Sequence, residues 1–439
     1  MRSPAFRPAR TVALLLVLVS GRVAAQDSIA TEVITWATRP AEPALRALAF
    51  DRVWQLVRER YHDPRLNGLD WTQVRERYRP QLDTVTALEG LYSLLSAMVS
   101  ELGDAHTRVH DPLRTAARRA NVAVSTGVSV APVEGLPTIV AVNDSLRARD
   151  PRLAPGLRVV AVDDAAVDRL FALRLPRADR TASAHSTAYL TWMRLLEGPP
   201  GATVELRLAD TLGAESAVQL ERRVIPSRPQ VIGRLTDDSV LVLRWDGFRA
   251  GIADSVAAWL DRHPHARGVV LDLRMNGGGS AAETGRVIGH FVNERIVIAQ
   301  VATRQRRWFG LRSGNTQWRA GRADGQRYAG PVVALVSPRS GSGAELLAGT
   351  LQEYGRATVV GERSCGCLLG INRYVSLPGG GELAISELGL LSGKLGRRVE
   401  GEGVVPDVPV TPTRAAIARG EDEVLRTAVG VLLGGGAAR

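Results

Sequence analysis

A serine between two glycines, at the start of a predicted helix, is the residue of this chain best suited to act as a nucleophile. Ser342 lies in "PRSGSGAELLAGTLQEY", where an apolar strand reaches a turn and a helix begins. Such a junction exposes the hydroxyl and aligns the N–H of Gly343 with the helix dipole, as acyl-transfer chemistry requires. A serine that simply caps the helix would occupy the same position. The stretch does not fit G-x-S-x-G, because Gly341 directly precedes the serine, so an α/β-hydrolase is disfavoured.

A second strand-to-helix junction carries three successive glycines, Gly277, Gly278 and Gly279, in "VVLDLRMNGGGSAAE". Glycines let backbone N–H groups approach a ligand closely, and the start of a helix favours negative charge. One interpretation is a phosphate cradle, but the stretch has neither the G-x-G-x-x-G spacing nor G-K-[ST], so nucleotide binding is disfavoured. The other is an oxyanion hole, in which one of these N–H groups faces the oxygen of a tetrahedral intermediate.

Four motifs occur in order along the chain, namely "LGDAHTRV", "DLRMNGGG", "SGSGAELLAGTLQEYGRATVVGERSCGC" and "VEGEGVVPDVPV". Together they resemble the motifs of the family of tail-specific (C-terminal processing) proteases, tricorn core peptidases and retinoid-binding repeats. Each motif is weak alone, but the four in this order are specific together. The resemblance implies an α/β fold with a crotonase-like (ClpP/crotonase-type) protease core, an N-terminal helical bundle and an inserted PDZ-like β module. It also implies a serine peptidase.

The chain departs from the tail-specific branch at the residue that would serve the nucleophile. That branch uses a lysine where this chain has Cys367, and a cysteine cannot act as a long-armed amine base. The tricorn-like branch uses serine, histidine and glutamate, and the residues that match are Ser342, His106 and Glu400. A neutral imidazole can take the serine proton near pH 7, and a carboxylate can hold the ring in the required tautomer. We therefore expect a Ser-His-Glu mechanism.

The expected oxyanion donors are the N–H group of Gly343 and that of Gly278 or Gly277. Donors of this kind stabilise the negative charge that develops on the carbonyl oxygen during acyl transfer. Neither a metal nor a cofactor is needed for this chemistry.

Other residues leave alternatives open. His110, four positions after the first histidine of the motif, would be a substitute base if the segment were helical. Glu402 could replace Glu400 as the group that orients the imidazole. A Ser/Lys mechanism would have to use Lys394, the only lysine of the chain, which lies outside the motif. A protein that binds peptides or hydrophobic ligands on the same scaffold without cutting them is a further alternative, because a fold does not decide function.

The remaining polar residues of the motifs are interpreted as structural or are too common to assign. Glu345 is a first-turn acid favoured by the helix dipole, and Asp104 is interpreted as structural. Arg363 and Arg274 could neutralise a peptide carboxylate, but arginine is abundant throughout the chain.

The only two cysteines, Cys365 and Cys367, are separated by one residue. They lack the second pair that a structural zinc site needs, and they are too few to build a disulfide framework. A tight disulfide between them is possible.

Three regions must position these residues. Helical periodicity and the stop at Gly103 predict an N-terminal helical domain over residues 26–112. Short apolar strands with Gly/Pro turns predict a compact β module over 120–225, whose order resembles a PDZ-like domain. From 226 to 425, strands and helices alternate, which predicts an α/β core with much parallel sheet.

The first 25 residues have the pattern of a signal peptide. A basic start, an apolar run and a small-residue cleavage site follow one another in "MRSPAFRPARTVALLLVLVSGRVAAQ". We expect removal after Ala25 and an exported chain, periplasmic or secreted. No later stretch is long and apolar enough to cross a bilayer, so stable membrane insertion is not expected after cleavage.

The composition limits the classes of partner that the chain is expected to bind. The chain has 439 residues and a formal net charge of +11. Its length predicts two or three domains. Its arginines are scattered through helical stretches and form no long run, so solvated helix faces explain the charge better than nucleic acid does. The expected partner is a peptide or protein substrate, and no oligomeric state follows from the sequence.

Overall fold

The computed structural model describes residues 36–175, 181–227, 229–304, 307–308, 311–312, 316–321 and 327–434. The expected signal peptide, residues 1–25, lies outside the described residues. The described chain has a mixed α/β fold with N-terminal helices, a β-rich module and a core of two sheets with helices. Within this described part, no helix is both long enough and apolar enough to cross a membrane.

The described helices are α1 (Pro43–Arg60), α2 (Trp71–Tyr78), α3 (Leu88–Ser100), α4 (Pro112–Ala120), α5 (Asp144–Arg149), α6 (Val167–Arg174), α7 (Ala184–Met193), α8 (Ile252–Arg262), α9 (Ala281–Ile288), α10 (Gly343–Glu353), α11 (Arg414–Ala418) and α12 (Glu423–Leu432). Short 3₁₀ helices occupy Leu66–Gly68 and Arg79–Thr84. The described strands are β1 (Arg108–His110), β2 (Val122–Ser125), β3 (Val128–Val133), β4 (Leu136–Val142), β5 (Arg158–Val162), β6 (Ala165–Ala166), β7 (Thr203–Ala209), β8 (Glu215–Glu221), β9 (Arg223–Pro226), β10 (Ile232–Leu235), β11 (Val240–Arg244), β12 (Gly268–Asp272), β13 (Ile296–Thr303), β14 (Arg307–Trp308), β15 (Leu311–Arg312), β16 (Thr316–Ala320), β17 (Val332–Val336), β18 (Thr358–Gly361), β19 (Leu369–Ser376), β20 (Glu382–Ser392) and β21 (Val408–Pro409).

The N-terminal helices α1, α2 and α3 pack around one apolar cluster. Asp70 begins α2 by accepting the N–H groups of Thr72 and Gln73, as a good N-cap does. The cluster also contains Leu383 and Ile385, which belong to β20. The helices therefore pack together, and their core also includes residues of a strand from the C-terminal part of the chain.

The β-rich module consists of an antiparallel sheet in the order β3-β4-β5-β7-β8 with helix α7 against β3. Strand β7 shows why the sequence pattern was informative: Val204, Leu206 and Leu208 are buried, and the residues between them are exposed. This period of two is that of a sheet with one face in the core. Strands β2 and β9 pair at the entry to and exit from the module.

The first sheet of the core has the order β10-β11-β12-β17-β18-β21 and is parallel from β11 onward. Strands β12 and β17 are buried at every residue, as their continuous apolar runs predict for a sheet covered on both faces. These two strands are neighbours, so their carboxyl ends meet at one edge. The glycine turn after β12 and the serine turn after β17 are therefore brought together, at the edge where open α/β sheets bind ligands.

A second, antiparallel sheet has the order β1-β20-β13-β16, with β19 also paired to β20. The expectation of strands alternating with helices did not include it. Its strands have irregular burial and pair across long sequence distances, so local periodicity carries little signal. In this sheet β20 pairs with β1 through Val109 and Leu383. This pairing joins the N-terminal region to the core.

Candidate active site

Ser342 lies between β17 and α10 and immediately precedes the helix. Its backbone has φ 54° and ψ −114°, a left-handed conformation that residues with side chains rarely adopt. Such strain costs about 1–3 kcal/mol and persists only where the surrounding structure imposes it. The residue borders a cavity of about 400 Å³. The turn therefore holds a hydroxyl-bearing residue in a strained backbone at the edge of a pocket.

Two glycines make room for this turn. A Cβ on Gly278, which has φ 98°, would lie 2.6 Å from the Cβ of Ser342. A Cβ on Gly343 would lie 2.8 Å from the hydroxyl oxygen of Thr284. Both distances are shorter than carbon contacts allow, so the close approach of the two strand-to-helix turns requires glycine at both positions.

The buried carboxylate of Glu345 ties the serine turn to the loop that follows β18. Its Oε2 accepts the N–H groups of Ser342 at 3.0 Å and Cys367 at 2.9 Å. Its Oε1 accepts the N–H of Gly366 at 2.7 Å and the hydroxyl of Ser364 at 2.6 Å. Burial raises the pKa of Glu345 to about 7, although the hydroxyl and N–H donors act to lower it. The sequence indicated only a first-turn acid, and nothing local revealed these partners in the loop.

The two glycines expected to provide the second oxyanion donor differ in the structure. The N–H of Gly278 donates to the side-chain oxygen of Asn276 at 2.9 Å, and Gly278 does not border the cavity. Gly277 is exposed and borders the cavity, as does Gly343. The N–H of Gly343 is the first of α10, which has no acceptor of its own for it. The geometry therefore favours Gly277 over Gly278 as the partner of Gly343.

The backbone around His106 is fixed by Asp104, which the sequence marked only as structural. Oδ1 of Asp104 accepts the N–H groups of His106 at 2.7 Å and Thr107 at 2.6 Å, and the hydroxyl of Ser386 at 2.8 Å. The hydroxyl oxygen of Thr107 in turn accepts the N–H of Ser386 at 3.1 Å. Because Ser386 lies on β20, these bonds attach the histidine segment to the second sheet.

The side chain of His106 is buried and borders the same cavity as Ser342. Burial, and then the positive charge of Arg108, hold the pKa of His106 below its ordinary value, although Asp104 acts to raise it. The imidazole is therefore neutral at pH 7, as a base must be. Its Nδ1 is buried and has no hydrogen-bond partner among the described residues.

Glu400 is buried in the loop between β20 and β21, and it does not border the cavity itself. Its Oε2 accepts the N–H of Leu368 at 2.6 Å, whereas its Oε1 is buried without a hydrogen-bond partner among the described residues. Burial and the neighbouring charge of Asp104 raise the pKa of Glu400 to about 8, although the N–H of Leu368 lowers it. Asp104 thus influences the titration of both His106 and Glu400.

The alternative base and orienting residues lie elsewhere. His110 is in strand β1 and not in a helix, and its ring packs 5.4 Å from that of Tyr374. Glu402 is exposed. Lys394 donates to the carbonyl of Glu353, at the end of α10 opposite to the serine. At 1.5 Å per residue the length of this helix is about 16 Å, so the lysine is not at the cavity.

The two arginines suggested for a peptide carboxylate have other partners. Arg274 forms ion pairs with Asp272 and Asp422, both at 2.7 Å, and Arg363 donates to the carbonyl of Glu402. The arginines that border the cavity are instead Arg108 and Arg373. The abundance of arginine in the sequence gave no means of finding them.

Cys365 and Cys367 are joined by a disulfide, the pairing that the sequence had left possible. In the part of the chain that the structure describes, no group of three or more histidine, cysteine, aspartate and glutamate side chains could hold a metal ion.

Two family models match the chain. Residues 239–410 match "Peptidase family S41", and residues 43–100 match "Tricorn protease C1 domain". Over 404 residues the chain is 27% identical to "Tricorn protease homolog 1" of Streptomyces coelicolor, covering 88% of this chain and 35% of that protein. It is also 27% identical over 329 residues to a "Carboxyl-terminal-processing protease" of Synechocystis sp., covering 71% of this chain and 69% of that protein.

Solved structures resemble the fold. The structure titled "Photosystem II D1 C-terminal processing protease" has a TM-score of 0.55 at 23% identity and covers 84% of this chain and 93% of its own. Mature CPAF has a TM-score of 0.68 at 13% identity and covers 90% of this chain and 99% of its own. The chain spans 35% and 32% of the length of the two tricorn protease homologs of Streptomyces coelicolor that it matches. Residues 239–410, which hold the serine turn, therefore form a domain that matches peptidase family S41, a family of serine-type peptidases.

Proposed function

We propose that this chain is an exported serine peptidase that hydrolyses peptide bonds with Ser342 as nucleophile, His106 as general base and Glu400 as orienting carboxylate. The observation that carries the proposal is that Ser342 and His106, far apart in the sequence, border one cavity of about 400 Å³. The strained backbone of the serine and the lowered pKa of the histidine support the two roles.

In the proposed reaction the Oγ of Ser342 attacks the scissile carbonyl while His106 takes the hydroxyl proton. The oxyanion accepts the N–H of Gly343 and that of a glycine after β12, for which Gly277 is favoured because it borders the cavity. His106 then gives the proton to the leaving amine. Water then attacks the acyl carbon while His106 takes a proton from it; the ester C–O bond breaks, and His106 gives that proton to the Oγ of Ser342, so the serine is restored.

The role of Glu400 rests on two buried polar atoms that lack partners among the described residues, Oε1 of Glu400 and Nδ1 of His106. Buried polar atoms without a partner are costly, and an imidazole that becomes charged during the reaction needs a carboxylate. We propose that these two atoms pair, directly or through water, when a proton reaches the ring. Asp104, which already accepts the backbone N–H of His106, adds negative charge close to the ring.

The proposed substrate is a peptide or protein with an apolar residue beside the scissile bond. Apolar side chains line much of the cavity, namely Leu346, Leu368, Leu388, Leu390 and Trp318. Arg108 and Arg373 also line it and could bind a carboxylate. Together with the relatives named carboxyl-terminal-processing proteases, these arginines favour cleavage near a carboxyl terminus.

We further propose that residues 120–225 form a PDZ-like domain inserted between the N-terminal helices (26–112) and a crotonase-like core (226–425). Support comes from the antiparallel sheet with α7 against β3 and from the parallel sheet with its helices. Export after removal of residues 1–25 is supported by the leader pattern and by the disulfide, since disulfides persist in oxidising compartments.

The test is Ser342→Ala in the purified chain, with Ser255→Ala as the matched control. Ser255 is also near a helix start, but its hydroxyl donates to the carbonyl of Gly251 and it does not border the cavity. Ser342→Ala should abolish both peptide hydrolysis and labelling by a fluorophosphonate, whereas Ser255→Ala should keep both. Full hydrolysis by Ser342→Ala would place the nucleophile elsewhere. A wild-type chain that binds peptides but is neither labelled nor hydrolytic would instead be a binding protein.

A further inference from the structure

The disulfide-bridged loop Cys365–Gly366–Cys367 takes no part in the proposed chemistry, yet it lies against the serine turn. Both cysteines are buried, each with 3% of its surface exposed. A Cβ on Gly341, the residue before the nucleophile, would lie 3.5 Å from the Cβ of Cys365 and 3.7 Å from that of Cys367. The bridged loop therefore lies close to Gly341, with space between them for about one carbon atom.

Backbone hydrogen bonds connect the two ends of the bridged loop to the two sides of the nucleophile. The N–H of Cys365 donates to the carbonyl of Ser340 at 2.9 Å, and the N–H of Ser342 donates to the carbonyl of Cys367 at 2.9 Å. The disulfide connects the side chains of the same two cysteines. It therefore restricts the two backbone groups that hold the strained serine.

The loop also holds the segment that carries Glu400. The N–H of Gly401 donates to the carbonyl of Gly366 at 2.9 Å, and the N–H of Leu368, directly after the bridge, donates to Oε2 of Glu400 at 2.6 Å. The buried carboxylate of Glu345 accepts the N–H groups of Gly366 and Cys367 between these contacts. One short loop thus contacts both the nucleophile turn and the orienting carboxylate.

We propose that the Cys365–Cys367 disulfide is a positioning element that keeps Ser342 and Glu400 in their reactive arrangement, so that hydrolysis depends on its thiol–disulfide state. This inference rests on the proposed peptidase function. When the bridge opens, the three residues regain backbone freedom, and the serine loses the restraint that imposes its left-handed conformation. The fold remains, because the sheet and helix that flank the turn do not include the loop.

The redox step is a two-electron exchange with a dithiol. A thiolate of the dithiol attacks one sulfur of the bridge, the S–S bond breaks, and the second thiol of the reagent closes its own disulfide. The protein gains two electrons and two protons as two thiols, and the reagent loses them. The chain has no other cysteine, so a dithiol has one target in it.

The experiment compares four samples of the mature chain: oxidised wild type, wild type reduced by dithiothreitol, and Cys365→Ser/Cys367→Ser with and without dithiothreitol. We expect kcat, and the rate of fluorophosphonate labelling of Ser342, to fall about a hundredfold in the reduced and variant samples with KM unchanged, as displacement of a reacting group by about 1 Å produces. Reoxidation should restore the wild type, and dithiothreitol should not affect the variant.

Each outcome decides a different claim. If oxidised wild type neither hydrolyses peptides nor reacts with the fluorophosphonate, the peptidase function fails and this inference fails with it. If oxidised wild type is active and both the reduced protein and the variant keep its kcat, the bridge has no positioning role. If the variant does not fold, the reduced wild type decides, with its circular dichroism compared with that of the oxidised protein. Equal loss of kcat and of secondary structure in that sample would show a merely structural disulfide.

Discussion

Replacement of Glu345 by glutamine removes an acceptor that no rotation of the side chain can restore. Each carboxylate oxygen accepts two donors: Oε2 accepts the N–H groups of Ser342 and Cys367, and Oε1 accepts Gly366 N–H and the Ser364 hydroxyl. A glutamine has one oxygen and one NH2 group, so two of the four donors must face a nitrogen without a lone pair. A protonated carboxyl would be less harmful, because its hydroxyl oxygen can still accept a hydrogen bond.

The magnitude follows from the number of donors left without an acceptor. The N–H of Ser342 also donates to the carbonyl of Cys367, so an amide whose oxygen faces Gly366 and Ser364 leaves only the N–H of Cys367 without an acceptor. A buried group that loses its partner costs about 1–3 kcal/mol, so Glu345→Gln should lower the free energy of unfolding by about 1–3 kcal/mol. The matched control is Glu283→Gln, a buried acid at the same position in the first turn of α9. In Glu283→Gln the amide oxygen can still accept the N–H of Ala253. The interaction lost is then the exposed one with Arg286, which contributes about 0–1 kcal/mol to the free energy of unfolding.

The assay is chemical unfolding at pH 8, above the pKa of about 7 for Glu345, so that the wild-type side chain is ionised. Fluorophosphonate labelling in the absence of denaturant measures the serine turn separately, and Glu345→Gln should slow it while Glu283→Gln should not. If the two variants lose the same free energy of unfolding, the four hydrogen bonds do not carry the stability assigned to them. If Glu345→Gln is labelled at the wild-type rate, the carboxylate does not position the nucleophile.

Two predictions concern the base and its carboxylate. In a steady-state assay His106→Gln should lower kcat by about 10²- to 10⁴-fold, the range for loss of a general base. The control is His290→Gln, which replaces a buried histidine bonded to the carbonyl of Ala253 and should leave kcat unchanged. Near-normal turnover of His106→Gln would exclude His106 as the base. Because the pKa of Glu400 is raised to about 8, its carboxylate ionises only above that pH, and only the ionised form stabilises the charged imidazole. The kcat of the wild type should therefore rise as pH increases through about 8, and Glu400→Gln should lack this rise; identical pH profiles would contradict the orienting role.

The features of the site that could be predicted from the sequence are those that depend on residues close together in the chain. Apolar runs predicted β12 and β17, and the turns after them predicted two strand-to-helix junctions with glycine and serine in place. Glycine was required there by close packing, as at Gly278 against Ser342, so its presence carried a physical signal. His106 and Glu400 have no such local signal, and only the resemblance of whole motifs suggested them.

What could not be predicted depends on contacts between distant segments. A first-turn glutamate looks the same whether it faces solvent or accepts four buried donors, as Glu345 does. Asp104 likewise gives no sign of its bonds to β20, because Ser386 lies in a strand that the sequence did not reveal. The choice between Gly277 and Gly278 as the proposed oxyanion donor depends on which of their N–H groups donates to the side chain of Asn276.

In the proposed mechanism the N-terminal helices help to position the site, because they pack against the strand to which the histidine segment is attached. Cys367 stands where the tail-specific branch has its lysine, and the proposed base, His106, precedes the domain that matches the S41 model. The histidine segment is attached to β20 through Asp104 and Ser386. Strand β20 also contributes Leu383 and Ile385 to the core of the helices. The packing of those helices and the placement of the imidazole therefore both depend on strand β20.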